Sequence, residues 1–366
     1  MSTSSMSRRQ FNRLLAGGLL AGSSLAYGKA EIHQNQMPGT GQPVHLQVAA
    51  IQMVPKLGDV SSNLQQAEHL IQQALRQGAR WIILPEMFTS AAAFHDDMLK
   101  AIQPLDGAPL QLLKRLAQEG RAVIGGSFLA ERNKQVFNTF VLVFPDGSFV
   151  QHDKDKPTYW ENCYYRGGND NGVLPTPVGQ VGSVLCWELI RSGTARRLLN
   201  KVNMVVSGSC WWTLPDDADP DSPRWAANLK MLQEAPPRMA KMLGVPVIHG
   251  SHAGSFAGYF SPELPDIPYN SHYLGEAMIV DANGKVLASL SHDSGEGVIM
   301  ADIEILNKPA PSIPVPDRFW IPDEMPDEWN DAFLRWFDRG ADYFELVTKP
   351  YLETGRVNEY TPEYLR

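Results

Sequence analysis

The sequence predicts an α/β fold, and three observations carry that expectation. The first patterned stretch alternates strand, helix and strand, the signature of a βαβ unit. The residues best suited to chemistry stand where apolar strands end, the usual place for sites in such folds. Hydrophobic content is 43% and charged content 20% over 366 residues, the balance of a globular chain with a sizeable core. A net charge of −8 argues against a nucleic-acid-binding face. No run of 18 apolar residues predicts a spanning helix. The three cysteines match no zinc-finger or zinc-ribbon spacing.

Residues 1–30 have the order of an export signal. Arg8 and Arg9 precede Phe11 and Arg13, and an uncharged run rich in Gly and Ala extends from Leu14 to Gly28. This resembles a bacterial twin-arginine signal, with small residues near Ala26 and Ala30 for cleavage. It implies export of the folded chain by the twin-arginine translocase to the periplasm. Residues 31–43 are polar and irregular, a linker. The folded domain is expected over 44–305.

Val44–Met53 is apolar and β-branched, hence a strand. Leu64, Ala67, Leu70, Ile71, Ala74 and Leu75 recur at helical spacing and predict a helix over 63–77, with Gly78 ending it. A short strand over 81–84 ends at Pro85-Glu86. Further on, a helix is expected over 110–118 and strands over 122–128 and 137–144. Asp146-Gly147 turns the last of these into a hairpin with 148–152. Residues 181–185 are small and apolar, a buried strand, and 188–200 can be written as a helix. Cys186 lies at that junction, a position resembling a nucleophile elbow. The start of a helix there would favour a thiolate. Strands are expected over 202–207, 245–250, 276–281, 285–290 and 297–304, with a short helix over 238–243 and a hairpin turn at Asn283-Gly284. Composition changes over 306–366. Pro309, Pro311, Pro314, Pro316, Pro322 and Pro326 mark an extended segment. Trp329, Phe333, Trp336, Phe337, Phe344 and Val347 then mark a final amphipathic helix.

Each candidate residue has a plain structural alternative. Glu86 could be a surface carboxylate, and Cys186 a buried small hydrophobe. The stretch 152–163 holds Lys154, Lys156 and Glu161, and such charge is common at a solvated hairpin end. Trp160, Trp187, Trp211 and Trp212 suit an aromatic-lined substrate pocket or the core. His249 and His252 would need a third ligand to hold a metal, and residues three apart on a strand face opposite ways. No metal is assigned.

Taken together, Glu86, Lys154 and Cys186 stand in that order at strand ends. The arrangement resembles the nitrilase or carbon–nitrogen hydrolase family over residues 44–304. Pro85-Glu86 resembles the family's Glu motif. His152-x-Lys154-x-x-Pro157-Thr158-x-x-Glu161-x-Cys163 resembles its Lys motif, and Cys186-Trp187-Glu188 its Cys motif. The resemblance implies a four-layer αββα sandwich that assembles as a homodimer or a higher homo-oligomer. It implies Cys186 as nucleophile, Glu86 as general base and Lys154 as oxyanion stabiliser, with Glu161 orienting Lys154 or assisting proton transfer. It requires no metal or organic cofactor, and the substrate would be a small amide or nitrile. Leu189-Ile190-Arg191 departs from the nitrilase branch, which inclines the reading toward an amide. An acyltransferase, a non-catalytic binding module, and a Cys–His protease using His249 or His252 are the alternatives. In an oxidising compartment Cys163 and Cys210 could pair and leave Cys186 as the thiol.

Overall fold

The computed structural model describes residues 43–216, 223–262 and 264–360. The twin-arginine signal over 1–30 and all of the expected linker but Pro43 lie outside the described residues. The chain begins with β1 (Val44–Met53), α1 (Val60–Arg76), β2 (Trp81–Ile83), β3 (Gln103–Pro104) and α2 (Ala108–Gly120). Then come β4 (Val123–Arg132), β5 (Gln135–Val143), β6 (Phe149–Asp153), β7 (Val173–Thr176), β8 (Gly179–Leu185) and α3 (Ser192–Leu198). They are followed by β9 (Met204–Ser209), α4 (Pro223–Leu243), β10 (Val247–Ser261) and β11 (Leu264–Leu274). The last elements are β12 (Met278–Val280), β13 (Val286–Ser289), β14 (Gly297–Ile305) and α5 (Asp327–Tyr343).

Among the described residues the main strands form two sheets of six. One runs β6-β5-β4-β2-β1-β14. The other runs β7-β8-β9-β10-β12-β13. They join where Gln52 and Met53 of β1 lie beside Ser251 and His252 of β10, so the sandwich is nearly closed into a barrel. Strand alternation then sorts the layers. Val48 and Ala50 of β1 face inward with Ile83, Leu142, Leu185, Val206, Ile248 and Ile303, which fill the space between the sheets. Ala49 and Ile51 face outward onto Leu70, Ile71 and Leu113 of α1 and α2. On the far side Val205 and Val247 face Leu198 of α3 and Leu232 and Met239 of α4. The order of layers is α, β, β, α, as expected.

The differences from the sequence reading have local causes. α1 starts at Val60 because the Asp59 side chain accepts from Ser62 N at 3.0 Å and caps it. The single helix expected over 188–200 is instead a 3₁₀ turn, Cys186–Ile190, followed by α3. Arg191 between them is extended and bridges to Trp320. α4 is far longer than the expected 238–243 and runs through Pro236 and Pro237. Prolines at an interior position cost helix stability, but burial of Met231, Leu232, Ala235, Met239 and Leu243 on one face outweighs it. β10 continues beyond Gly250. β11 contains Pro265 and Pro268, which argue against a strand, yet among the named strands described it pairs with β10 alone, and its proline-bearing half lies at a sheet edge, which tolerates proline.

Candidate active site

Glu86, Lys154 and Cys186 converge from three strand ends. Glu86 follows β2, Lys154 follows β6, and Cys186 follows β8. Lys154 Nζ lies 2.9 Å from Glu86 Oε1 and 2.7 Å from Glu161 Oε2. All four side chains are at most 1% exposed. Cys186 has φ +50°, a left-handed conformation rare for residues with a side chain. Met87, after Glu86, and Tyr159, at the start of the turn bearing Glu161, share it at +47° and +51°. Such strain collects where the surroundings over-determine a functional geometry. The turn after Cys186 is only five residues long, so no full helix stands behind the sulfur.

The sheets hold Glu86 from both sides. Asn138 Nδ2 on β5 donates to Oε1 at 2.9 Å, and Cys210 N, just past β9, donates to Oε2 at 3.0 Å. The Glu86 carbonyl accepts from His252 Nε2 at 2.8 Å. Gly208 and Gly250 make this crossing possible. A Cβ at Gly208 would sit 2.5 Å from Glu86 N, and one at Gly250 2.7 Å from the Leu84 carbonyl carbon. Glu161 Oε2 is fixed by Thr158 N at 2.8 Å and by the Tyr165 hydroxyl.

The electrostatics differ from what a helix start would give. Burial pushes the Cys186 thiol well above its ordinary pKa, and Glu86 adds to the rise while Lys154 opposes it. Cys186 is therefore a neutral thiol at rest, and the expected thiolate is corrected. Burial would lower the Lys154 pKa, but Glu161 and Glu86 overcome it and hold the ammonium charged. Burial raises the Glu86 carboxyl above the ordinary carboxylate range, with Glu161 adding and Lys154 subtracting.

A second buried charge cluster underlies the first, and the sequence reading missed it. Glu188 Oε2 accepts from Leu185 N at 2.8 Å and lies 3.1 Å from His152 Nε2. Its Oε1 accepts from Asp155 N at 3.2 Å and Arg197 Nη2 at 3.2 Å. Arg191 and Arg197 also clamp Asp155, at 2.5 and 2.9 Å. One carboxylate thus ties the backbone just before Cys186 to the backbone just after Lys154.

The family model for carbon-nitrogen hydrolase matches residues 47–306. The chain belongs to the carbon–nitrogen hydrolase family. With amidases and nitrilases among its relatives, it is a hydrolase of carbon–nitrogen bonds. It is 25% identical over 263 residues to the N-carbamoylputrescine amidase of Arabidopsis thaliana, covering 68% of this chain and 83% of that one. It is 24% identical over 277 residues to the aliphatic nitrilase of Sinorhizobium fredii, covering 70% and 85%. Its fold is similar to that of a carbon-nitrogen hydrolase from Helicobacter pylori, with a TM-score of 0.59 and 19% identity over 71% of this chain and 89% of that one.

The remaining candidates of this carbon–nitrogen hydrolase fall into distinct places. Trp187 and Trp211 are buried among Leu189, Met231 and Phe333, and Trp211 Nε1 donates to Asn228 at 2.8 Å. Trp160 stacks at 4.8 Å on the partly exposed Trp212, whose other aromatic neighbour is Tyr159 at 6.1 Å. Cys163, Cys186 and Cys210 are all buried thiols, so the Cys163–Cys210 disulfide is not formed. His249 Nδ1 pairs with Ser207 Oγ at 3.1 Å, and burial lowers its pKa to about 3. His252 is lowered to about 4 for the same reason. Asn138 and Tyr165 escaped the sequence reading because nothing in their local pattern marks them, and His252, weighed there as a metal or protease residue, instead supports the Glu86 backbone. For Glu188 the signal was present in the Cys186-Trp187-Glu188 motif.

Proposed function

We propose that Cys186 is the nucleophile of an enzyme that hydrolyses a small amide or nitrile, with the amide as first choice. The observation that carries this reading is the Lys154 ammonium held between Glu86 and Glu161 beside a buried thiol. A buried neutral thiol needs a base at the moment of attack, and a carboxylate with a raised pKa suits that task. In the proposed course Cys186 Sγ attacks the carbonyl carbon while its proton passes to Glu86. The oxyanion forms beside Lys154 Nζ, and one such donor contributes about 3–4 kcal/mol of transition-state stabilisation. Collapse returns the proton to the departing nitrogen, which leaves as ammonia or an amine, and a thioester remains. Glu86 then takes a proton from water, whose oxygen attacks the thioester, and the carboxylic acid and thiol are released. A nitrile would pass through a thioimidate, hydrolysed to the same thioester with loss of ammonia. Glu161 Oε1, which has no hydrogen-bond partner among the described residues, is available to accept from the substrate nitrogen.

Both an amidase and a nitrilase stand among the relatives, and the departure at Leu189-Ile190-Arg191 supports the amide. The neutral, separately engaged His249 and His252 speak against a Cys–His protease. The proposal extends to export through the twin-arginine translocase, residence in the periplasm and a homo-oligomeric state. The test is ammonia release by the chain lacking its first thirty residues against a panel of amides and nitriles. Release from amides that vanishes in Cys186→Ala is the expected result. Full activity of Cys186→Ala would refute the nucleophile assignment, and release from nitriles alone would refute the amide preference.

A further inference from the structure

The match to the family model ends at residue 306, and the C-terminal segment beyond it is packed onto the two turns that carry Cys186 and Glu161. Ser192 N donates to Phe319 O at 2.9 Å, and Ile321 N donates to Ile190 O at 2.7 Å. With the Arg191–Trp320 bridge these bonds zip residues 319–321 to the backbone directly after the Cys186 turn. The Trp320 and Phe333 rings then enclose Trp187. Trp320 meets it edge-on at 5.4 Å, and Phe333 stacks on it at 6.0 Å. Trp320 is itself fixed, its Nε1 donating to Asn330 at 3.0 Å. Trp187 directly follows Cys186 in the chain, so the indole that the extension encloses belongs to the residue next to the proposed nucleophile. The chain of contact therefore runs from the extension, through one indole and the backbone of residues 190–192, to the turn that carries Cys186.

The same extension seats the Glu161 turn. Gly340 of α5 lies so close to that turn that a Cβ there would be 2.7 Å from Asn162 Cβ and 3.1 Å from Cys163 N. The Thr348 hydroxyl donates to Cys163 O at 2.6 Å. One segment outside the family match thus touches both turns, on two sides of the site.

We propose that the C-terminal extension is a working part of the active site, with Trp320 and Phe333 as positioning residues for Cys186 and α5 at Gly340 setting the Glu161 turn. The proposal rests on Cys186 being the nucleophile. Displacement of reacting groups by about 1 Å costs on the order of 100-fold in rate, so the effect falls on kcat more than on KM.

The experiment uses the full mature chain with Trp320→Ala, Phe333→Ala and Gly340→Ala, and with Trp320→Phe as the conservative variant. Leu334→Ala, on the exposed side of the same helix, is the control. Two readouts are taken on folded protein: the kcat and KM of the preferred amide, and the pH profile of Cys186 alkylation by iodoacetamide. The alanine variants at 320 and 333 should lose about 10–100-fold in kcat with little change in KM. Their alkylation profile should shift along the pH axis, because the Cys186 turn is no longer held in place relative to Lys154 and Glu86. Gly340→Ala should lower kcat and leave the alkylation profile unmoved, and Trp320→Phe should restore most of both. Folded alanine variants with native kcat and native profile would overturn the proposal. A kcat loss that tracks only the unfolded fraction, with a native profile in the folded molecules, would overturn it too. Activity surviving in Cys186→Ala would instead remove the nucleophile assignment, a different result from either of these.

Discussion

Replacing Glu188 with glutamine should be far more damaging than its near-identity of shape suggests. Every group around the carboxylate is a donor. Leu185 N and His152 Nε2 face Oε2, while Asp155 N and Arg197 Nη2 face Oε1. A glutamine presents one oxygen and one NH₂, so either orientation sets two N–H donors against an N–H. Two charge-assisted hydrogen bonds are lost, each worth about 1.5–3 kcal/mol. His152, Arg191 and Arg197 also lose a buried countercharge, and breaking one partner of such a cluster costs about 3–5 kcal/mol. We expect Glu188→Gln to be destabilised by about 3–5 kcal/mol, a large share of the 5–15 kcal/mol that holds a typical domain. Urea unfolding followed by fluorescence measures this, with ammonia release on the residual folded protein. Since Glu188 fixes the backbone beside both Cys186 and Lys154, kcat of the folded fraction should fall as well. A loss below about 1 kcal/mol with native kcat would refute the reasoning, because it would mean that the carboxylate's charge contributes nothing there.

The same geometry sets three further outcomes. Gly208→Ala places a methyl 2.5 Å from Glu86 N, so kcat of the folded protein should drop by about 10–100-fold, and the clash with fixed backbone should cost about 1–3 kcal/mol in a thermal melt. Burial would lower the His152 pKa, but Glu188 and Asp170 overcome it and raise it to about 10. Because that value exceeds the ordinary 6.5, its stabilisation is complete below pH 6.5 and is lost as pH rises through about 10. The stability gap between the native chain and His152→Gln should therefore narrow over that window, and a gap independent of pH would contradict it. The acid limb of the kcat/KM profile should lie above the ordinary carboxylate pKa of 4.5, because burial and Glu161 raise Glu86. Glu161→Gln should shift that limb to lower pH, and an unmoved limb would contradict the reasoning.

The fold and the central triad were legible because each rests on local pattern. The strands β1, β5 and β8 are rich in apolar and β-branched residues, and the three motifs mark their own strand ends. What escaped the sequence was set by contacts distant along the chain. α4 passes through Pro236 and Pro237 because its buried face outweighs their cost, which propensity alone cannot anticipate. The helix expected after Cys186 breaks at Arg191, whose extended backbone pairs with Trp320, 129 positions on. His249 and His252 read as a pair, yet one rests on Ser207 and the other holds the backbone of Glu86. The thiolate expectation failed for an electrostatic reason. Lys154 is beside the sulfur, but two carboxylates already claim its charge, and burial does the rest.

That charge count also explains why the site is built across two sheets. One ammonium and two carboxylates leave a net negative centre in a dry interior, an arrangement that is stable only with several fixed donors. Asn138 on the first sheet supplies one to Glu86, and Cys210 N at the end of β9 on the second supplies another. Thr158 N and the Tyr165 hydroxyl serve Glu161. No single sheet places donors on both oxygens of Glu86, so the spacing between the sheets sets its position. Gly208 and Gly250 set that spacing, since any side chain there would force the strand end away. The Glu86 carboxylate is thus positioned by the absence of two side chains as much as by the presence of its partners.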